Sequence, residues 1–209
     1  MNKYCKTQRS HFSKIFVATM LIVGMIRSAT LEAENFDVED QDLIEAFLYS
    51  CSHCFDMEPL IVRWQRENTD AKFTRVPVVG GDEADDMLSS WTFAKTYYTF
   101  GEMGVLEEMH RNYFTAIHIE RRNLNSFSKI LEFVSEHELD TNTFQSIYNS
   151  ESVRQNVLKA REYTTRQGLD ETPTFIVRGK EHLLLNMFEG NAARLLINVD
   201  FLLRKPESE

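Results

Sequence analysis

Cysteine is scarce in this chain, whose 209 residues include three: Cys5, Cys51 and Cys54. Basic residues are also few, because 23 lysines and arginines stand against 32 aspartates and glutamates, for a formal net charge of −9. This acidic balance argues against a nucleic-acid partner. The sequence has no internal repeat, low-complexity tract or P-loop, and "VVGGDE" lacks the glycine spacing of a dinucleotide fingerprint.

The apolar run "IFVATMLIVGMI" at 15–26 is shorter than the roughly 20 residues that a membrane-spanning helix needs. It follows four basic residues, and "LEA" ends at Ala33. This order is typical of a secretory signal that is cleaved near Ala33, and we favour removal over retention as an anchor. Loss of residues 1–33 removes five basic residues and one acidic residue, so the net charge becomes −13. The exported chain then keeps Cys51 and Cys54, which have only each other as partners.

The patterns after the predicted signal begin with strand, helix and strand. "LIEAFLY" at 43–49 is an apolar run of strand length that leads directly into the cysteine pair. A helix is predicted over 52–67, with Pro59 as a kink, and "KFTRVPVV" at 72–79 predicts a second strand. The chain therefore opens with a βαβ unit.

Between Asp85 and Gly168 the apolar spacing is helical. It predicts three longer helices and two shorter ones, and Gly168 ends the last. "TPTFIV" at 172–177 and "HLLL" at 182–185 then predict two strands, and a helix closes the chain. The apolar faces of the six helices comprise Met87, Trp91, Ala94 and Tyr98; Leu106, Met109, Tyr113 and Ile117; Phe127, Ile130, Leu131 and Val134; Phe144, Ile147 and Tyr148; Val153, Val157, Ala160 and Thr164; and Ala192, Leu195, Leu196, Val199 and Leu203.

The cysteine pair in "SCSHCFDMEP", residues 50–59, allows three interpretations. A structural zinc site needs four ligands, and no second pair is evident, because His110 and His118 are eight positions apart and His137 and His182 stand alone. A structural disulfide is also disfavoured, since closing so short a loop restrains few unfolded conformations. Redox chemistry is the interpretation that we favour.

The predicted helix start gives this chemistry a physical basis. Cys51 follows the strand, so its thiolate faces unpaired backbone N–H groups and the positive end of the helix dipole, which lowers its pKa. Cys54 falls one turn inside the helix, from where it can attack a mixed disulfide on Cys51. His53, between them, adds a hydrogen bond or positive charge that favours the thiolate; the alternative is a solvated histidine at a loop end.

The order of these features resembles that of the DsbA-type thiol:disulfide oxidoreductases of the bacterial periplasm. The features are a strand, C-x-H-C, a kinked helix, a strand, a helical insertion, Thr-Pro before a hairpin, and a last helix, over about residues 43–204. The resemblance implies an α/β thioredoxin-like fold with an inserted α-helical domain. The thioredoxin-like domain would comprise 34–84 and 165–209, and the helical insertion 85–164.

The resemblance also implies roles for individual residues. Cys51 would be the exposed nucleophile and Cys54 the resolving thiol. Pro173 would be a cis-proline that faces the disulfide, and Thr172 would offer its backbone to an extended substrate. The alternative for Thr172-Pro173 is a proline that merely starts a strand.

Two acidic residues match positions beneath the active site of that family, where they influence proton transfer. They are Glu45, six before Cys51, and Glu58, four after Cys54. The alternatives are a polar residue on a half-exposed strand for Glu45 and a solvated helix face for Glu58.

Two residues depart from the family pattern. Ser52-His53 stands where the family usually has Pro-His. Because the dipeptide between the cysteines tunes the stability of the thiolate, we expect a disulfide that is less oxidising than those of the strongest oxidants in the family. Thr172 stands before the proline where valine is common in the family, and threonine at this position resembles some isomerases and reductases of the wider superfamily.

The expected function is thiol:disulfide exchange that introduces disulfide bonds into reduced, unfolded exported polypeptides in the periplasm. The Cys51-Cys54 disulfide would carry the electrons without a cofactor or metal. The resemblance implies that a membrane quinone-linked thiol oxidase regenerates it, and we expect a monomer. A disulfide reductase or isomerase of the same fold and a non-catalytic chaperone-like binding module remain as alternatives.

Overall fold

The computed structural model describes residues 38–85 and 89–205 of the chain, so the predicted signal at 1–33 lies outside the described residues. Four strands and seven α-helices form within those two ranges. They are β1 (Leu43–Phe47), α1 (Ser52–Glu67), β2 (Phe73–Pro77), α2 (Ser90–Glu102), α3 (Leu106–His118), α4 (Phe127–Glu136), α5 (Thr141–Tyr148), α6 (Glu151–Arg166), β3 (Thr174–Val177), β4 (Glu181–Leu184) and α7 (Ala192–Arg204). Short 3₁₀ turns span Glu83–Asp85 and Leu185–Phe188.

The four strands form one mixed sheet in the order β2-β1-β3-β4. β1 runs parallel to β2, with α1 as the connection between them, and antiparallel to β3, which pairs with β4 as a hairpin. All five residues of β1 and all four of β3 are buried, as the central strands of a sheet covered on both faces should be. Helix α1, at whose start the cysteine pair lies, begins shortly after the central strand β1.

The alternation of side chains along the strands divides the core between the two faces of the sheet. Leu43 and Phe175 pack with apolar residues of α1 and α7, whereas Ile44 and Ile176 pack with the helices between β2 and β3. α1 can cover its face because the buried residues Met57, Ile61 and Trp64 recur at helical spacing. Cys54, at the start of α1, packs with the cluster on the opposite face of the sheet.

The predicted elements are all present, with small shifts at their ends. α1 spans the predicted residues, but β3 begins at Thr174 rather than 172, because Pro173 has no N–H to donate to a strand partner. β1 stops at Phe47 because the next residues turn toward α1, where the Cys51 N–H donates to the Leu48 carbonyl at 2.9 Å. α2 begins at Ser90; Met87, which we assigned to its apolar face, lies outside the described residues.

Helices α2 to α6 lie in sequence between β2 and β3, so the fold is thioredoxin-like with an α-helical insertion. α2 and α6 contact β2, and α3 contacts α1. Among the aromatic side chains of α2 and α3, those of Phe100, Tyr113 and Phe114 are fully buried. In the described ranges no helix is both long and apolar enough to cross a membrane.

Candidate active site

Cys51 is the N-cap residue of α1. Its Sγ accepts a hydrogen bond from the backbone N–H of Cys54 at 3.2 Å, because the first N–H groups of a helix have no partner within the helix. On the other side, Cys51 Sγ lies 3.3 Å from the carbonyl oxygen of Thr172, to which the thiol can donate. The sulfur therefore lies between the start of α1 and the loop that precedes β3, and it remains partly exposed.

The two thiols of the pair have opposite proton affinities. A hydrogen bond from the Cys54 thiol is the largest cause that shifts the pKa of Cys51, which falls to about 6 although burial opposes the change. The backbone N–H groups of Cys54 and His53 lower it further. Cys54 is 0% exposed, and burial, followed by its hydrogen bond to Cys51, raises the pKa of Cys54 far above its ordinary value. Cys51 is thus the thiolate of the pair and Cys54 the thiol.

The Thr172-Pro173 peptide bond is cis, as the family resemblance implied. Pro173 is buried, Thr172 is half-buried, and both line a groove of about 450 Å³ beside the cysteine pair. The other residues that line this groove are His53, Glu171, Leu185, Asn186, Glu189 and Gly190. Thr172 connects the groove to the reactive sulfur, because its carbonyl oxygen is 3.3 Å from Cys51 Sγ.

His53 is exposed at the first turn of α1. The part of His53 that lowers the pKa of Cys51 is its backbone N–H. Its imidazole lines the groove with Thr172 and Pro173. The structure therefore brings His53 to the site, and the electrostatic role expected for its side chain stays a prediction.

Glu45 is fully buried in β1, so the alternative of a half-exposed strand position is wrong. Arg75 Nε donates to Glu45 Oε2 at 2.9 Å, while Glu45 Oε1 has no hydrogen-bond partner among the residues that the structure describes. Burial raises the pKa of Glu45 to about 8 against the opposing charge of Arg75, and the charges of Glu58 and Cys51 add to the rise. Glu45 therefore holds its proton more strongly than an exposed carboxyl group does.

Glu58 is 7% exposed, so the alternative of a solvated helix face is also wrong. Arg75 donates to Glu58 Oε2 at 3.2 Å, and His110 Nε2 lies 3.2 Å from Glu58 Oε1. Burial alone would raise the pKa of Glu58, but the hydrogen bond to His110 and the charge of Arg75 outweigh it, and the net shift is downward. The two carboxyl groups beneath the cysteines thus differ in charge state.

Three residues of this buried cluster were missed from the sequence: Arg75, His110 and Tyr49. Arg75 had a signal, since it is the register partner of Glu45 on the parallel strand β2, and opposite charges on paired strands attract. His110 lies on the buried face of α3, and its Nδ1 is 2.9 Å from the hydroxyl of Tyr49. The contacts of His110 with Tyr49 and Glu58 join residues that are 61 and 52 positions apart, so no local spacing in the sequence reveals them.

The histidines that we considered as zinc ligands have other contacts. His118 Nε2 is 2.8 Å from the carbonyl oxygen of Tyr49, and its ring stacks on Phe55 with centroids 5.0 Å apart. Across residues 38–85 and 89–205 there is no group of three or more histidine, cysteine or acidic side chains placed to hold a metal ion.

Comparison with known proteins gives a consistent family assignment. The model of the DSBA-like thioredoxin domain matches residues 43–194. The thiol:disulfide interchange protein DsbA of Pseudomonas aeruginosa is 28% identical over 166 residues, which cover 78% of this chain and 75% of that protein. The protein of the same name from Burkholderia cepacia is 31% identical over 140 residues, or 66% of this chain and 63% of its own.

Solved structures agree with this assignment. The crystal structure of Pseudomonas aeruginosa DsbA has a TM-score of 0.71 at 27% identity and covers 80% of this chain and 84% of its own. The oxidoreductase DsbA from Xylella fastidiosa has a TM-score of 0.69 at 23% identity, over 81% and 88% of the two chains. Because the Xylella fastidiosa protein is 23% identical to this chain, its structure supports the fold alone.

Proposed function

The chain belongs to the DSBA-like thioredoxin domain family, and from this premise we propose that its Cys51-Cys54 disulfide introduces disulfide bonds into reduced, unfolded exported polypeptides. The protein is a thiol:disulfide oxidoreductase, and not a non-catalytic binding module. The observation that carries the proposal is the contrast between a partly exposed Cys51 with a lowered pKa and a buried Cys54 with a raised one.

The reaction begins when a client thiolate attacks Cys51 Sγ of the oxidised protein. The Cys51-Cys54 bond breaks, Cys54 Sγ leaves with the electron pair, and it takes up a proton because its thiol form is favoured in the buried site. A second client thiol loses its proton and attacks the client sulfur of the mixed disulfide. Cys51 then leaves as a thiolate, which its lowered pKa favours.

The electrons and protons of this exchange balance between the client and the cysteine pair. The client loses two electrons and two protons, and the protein gains two electrons, one proton on Cys54 and a thiolate on Cys51. The second proton goes to the solvent above about pH 6, the pKa of Cys51. The pair carries the electrons itself, so the proposed reaction uses no cofactor or metal.

Roles for the other site residues follow from their positions. Thr172 and Pro173 line the groove next to Cys51, and we assign them to binding an extended client segment. Glu45 and Glu58 are candidates for proton transfer, because they lie in the buried cluster that interacts electrostatically with the cysteines. His53 would stabilise the thiolate from the mouth of the site.

The remaining proposals concern the setting of the reaction. The bacterial relatives named DsbA support an exported, periplasmic protein. Removal of residues 1–33 near Ala33 is proposed from the sequence pattern. A membrane quinone-linked thiol oxidase would return the reduced pair to the disulfide, and the protein would act as a monomer. Within it, 34–84 and 165–209 would be the thioredoxin-like domain and 85–164 the helical insertion.

The test is a single-turnover oxidation of a reduced, unfolded model protein with two cysteines. Excess oxidised protein should convert the client thiols to a disulfide and become reduced in equal amount. A Cys51→Ser variant keeps a polar cap at the start of α1 and should oxidise no client. Oxidation by that variant at the normal rate would refute the proposal.

A further inference from the structure

A chain of buried side chains connects Tyr49 to Glu45. The Tyr49 hydroxyl is 2.9 Å from His110 Nδ1, and His110 Nε2 is 3.2 Å from Glu58 Oε1. The other oxygen of Glu58 accepts from Arg75 at 3.2 Å, and Arg75 Nε donates to Glu45 at 2.9 Å. Tyr49 and Glu45 are fully buried, and His110 is 4% exposed.

The contacts of His110 assign the protons of its ring. Burial raises the pKa of Tyr49 well above its usual value, so its hydroxyl keeps its proton and donates to Nδ1. Burial likewise lowers the pKa of His110, so the ring is neutral and carries one N–H. Since Nδ1 accepts, that N–H is on Nε2 and donates to Glu58. Tyr49 thus fixes the tautomer of His110.

The two carboxyl groups compete for the same guanidinium, that of Arg75. Glu58 receives two donors, from Arg75 and His110, whereas Glu45 receives one from Arg75. A carboxylate with more hydrogen-bond donors holds its charge better, so the proton that such a pair retains goes to the less satisfied partner. Glu45 is that partner, and its charge acts on both cysteines.

We propose that His110, held in one tautomer by Tyr49, is a positioning residue that keeps Glu58 ionised and thereby reserves Glu45 as the carboxyl that binds and releases a proton beside the cysteine pair. The inference rests on the proposed function, because it assigns that exchange reaction a source of its proton.

Each element packed around His110 contributes a charged or titratable group that bears on this role. The turn after β1 contributes Tyr49, α1 contributes Glu58, and β2 contributes Arg75. α2 contributes Tyr97, whose ring centroid is 5.8 Å from that of His110. From α3 itself, Glu107 and Arg111 line a cleft of about 480 Å³ that His110, Glu58 and Arg75 also line. The cleft provides solvent with access to this side of the cluster.

Loss of the His110 ring should move a negative charge toward the cysteines. Glu58 would lose a donor and take up the proton that Glu45 holds, and Arg75 would then pair with an ionised Glu45. The total charge of the cluster is unchanged, but the charge moves from α1 to β1. Because an ionised Glu45 repels the Cys51 thiolate, the pKa of Cys51 should rise.

The experiment is a double-mutant cycle read by the pKa of Cys51, measured in the reduced protein from the ultraviolet absorbance of its thiolate. His110→Phe should raise the pKa of Cys51 by about half a unit, a modest effect for relocating a nearby charge. In a Glu45→Gln background the same substitution should cause no shift. His137→Gln, on a histidine that contacts the Phe133 carbonyl in α4, is the matched control and should leave the pKa unchanged.

Tyr49→Phe provides a second, gentler variant, since it removes one oxygen and frees the tautomer of His110. It should shift the pKa of Cys51 in the same direction, and Glu45→Gln should again abolish the shift. A shift that persists in the Glu45→Gln background, or none from either variant in the wild-type background, would overturn the inference. The titration needs no client, so a failure of client oxidation refutes the proposed function and leaves this result to be judged separately.

Discussion

Cys51 and Cys54 are chemically the same residue, but their positions on α1 give them different proton affinities. Cys51 caps the helix and receives hydrogen bonds from the Cys54 thiol and from backbone N–H groups. Cys54 is one turn further along, on the face that packs against the sheet, and is excluded from water. In the proposed reaction, this difference determines which sulfur a client attacks and which one leaves the disulfide.

The roles of the two cysteines predict different behaviour when one is removed. A Cys54→Ala variant keeps an activated thiolate but has no second thiol to expel a bound client, so mixed disulfides should persist. A Cys51→Ala variant keeps only the buried thiol and should trap little. The measurement is the amount of covalent adduct isolated from cells without reductant, counting only bands that disappear when reductant is added. Equal trapping by both variants would reject the assignment.

The His53 side chain should stabilise the Cys51 thiolate. His53→Ala keeps the backbone N–H that contributes to the low pKa of Cys51, so the variant isolates the imidazole. We expect the pKa of Cys51 to rise and the disulfide to become less oxidising, with each 30 mV equal to about 1.4 kcal/mol for this two-electron couple. Ser52→Ala, at the neighbouring exposed position, is the control. An unchanged potential in His53→Ala would remove the imidazole from the mechanism.

Individual site residues could be predicted from the sequence where the signal was local. The cysteine pair was identified from its motif and spacing, whereas Thr172-Pro173 and the two acidic residues were identified from the family resemblance. Arg75, His110 and Tyr49 were not, because their contacts join residues 17 to 61 positions apart. A histidine on a helical face with apolar neighbours looks the same in sequence whether it meets a carboxylate or a ring.

The start of α1 links helix stability to the charge of one sulfur. In the first turn the Cys54 N–H donates to Cys51 Sγ, and a thiolate there also interacts favourably with the helix dipole. Because reduction of the disulfide creates this thiolate, the interaction of the thiolate with the start of α1 stabilises the reduced protein. The same interaction therefore makes the disulfide more oxidising.

The stability of the reduced protein should consequently depend on pH through Cys51. The pKa of Cys51 is about 6 in the folded state and roughly 8.5 in an unfolded chain, so the folded state releases the proton more readily. The contribution is fully present above the unfolded value and is lost as pH falls through about 6. The measurement is denaturant unfolding of the reduced protein and of reduced Cys51→Ala. The difference between their free energies of unfolding should grow as the pH rises through this window. A difference that is constant with pH would contradict the low pKa.

Helices and strands could be predicted well from the sequence because their signals are local. The helical spacing of apolar residues at 52–67 and the positions of proline and glycine predicted the main elements, and α1 matches its predicted span. Strand ends were less predictable, since they depend on pairing with distant partners, as at Pro173, where β3 starts later. The register of β1 against β2, which brings Arg75 to Glu45, likewise follows from tertiary pairing.

The whole molecule places its redox chemistry at one end of a sheet whose faces are both covered. The central strand β1 leads to the cysteines, α1 seals the face with Cys54, and α3 brings His110 to the buried carboxyl groups. Water is thereby kept from Cys54 while Cys51 and the groove stay open. In the proposed reaction a client reaches Cys51, and Glu45 and Glu58 transfer protons beneath it.

The mature protein should begin near Glu34 and be recovered from the periplasm, because the apolar run at 15–26 is short and a plausible cleavage site follows it. N-terminal sequencing of the protein from a periplasmic extract tests this. Sequence that still contains Lys3 or Lys6, from protein bound to the membrane, would contradict it.

The reduction potential of the Cys51-Cys54 pair tests the central claim most directly, because the direction of exchange depends on it. The measurement is equilibration of the protein with mixtures of reduced and oxidised glutathione, followed by quantification of its free thiols. We predict that glutathione reduces the pair readily, so that its potential is less negative than the roughly −200 mV typical of an oxidising compartment. A potential near the roughly −270 mV of thioredoxin would contradict the account and identify the protein as a reductase.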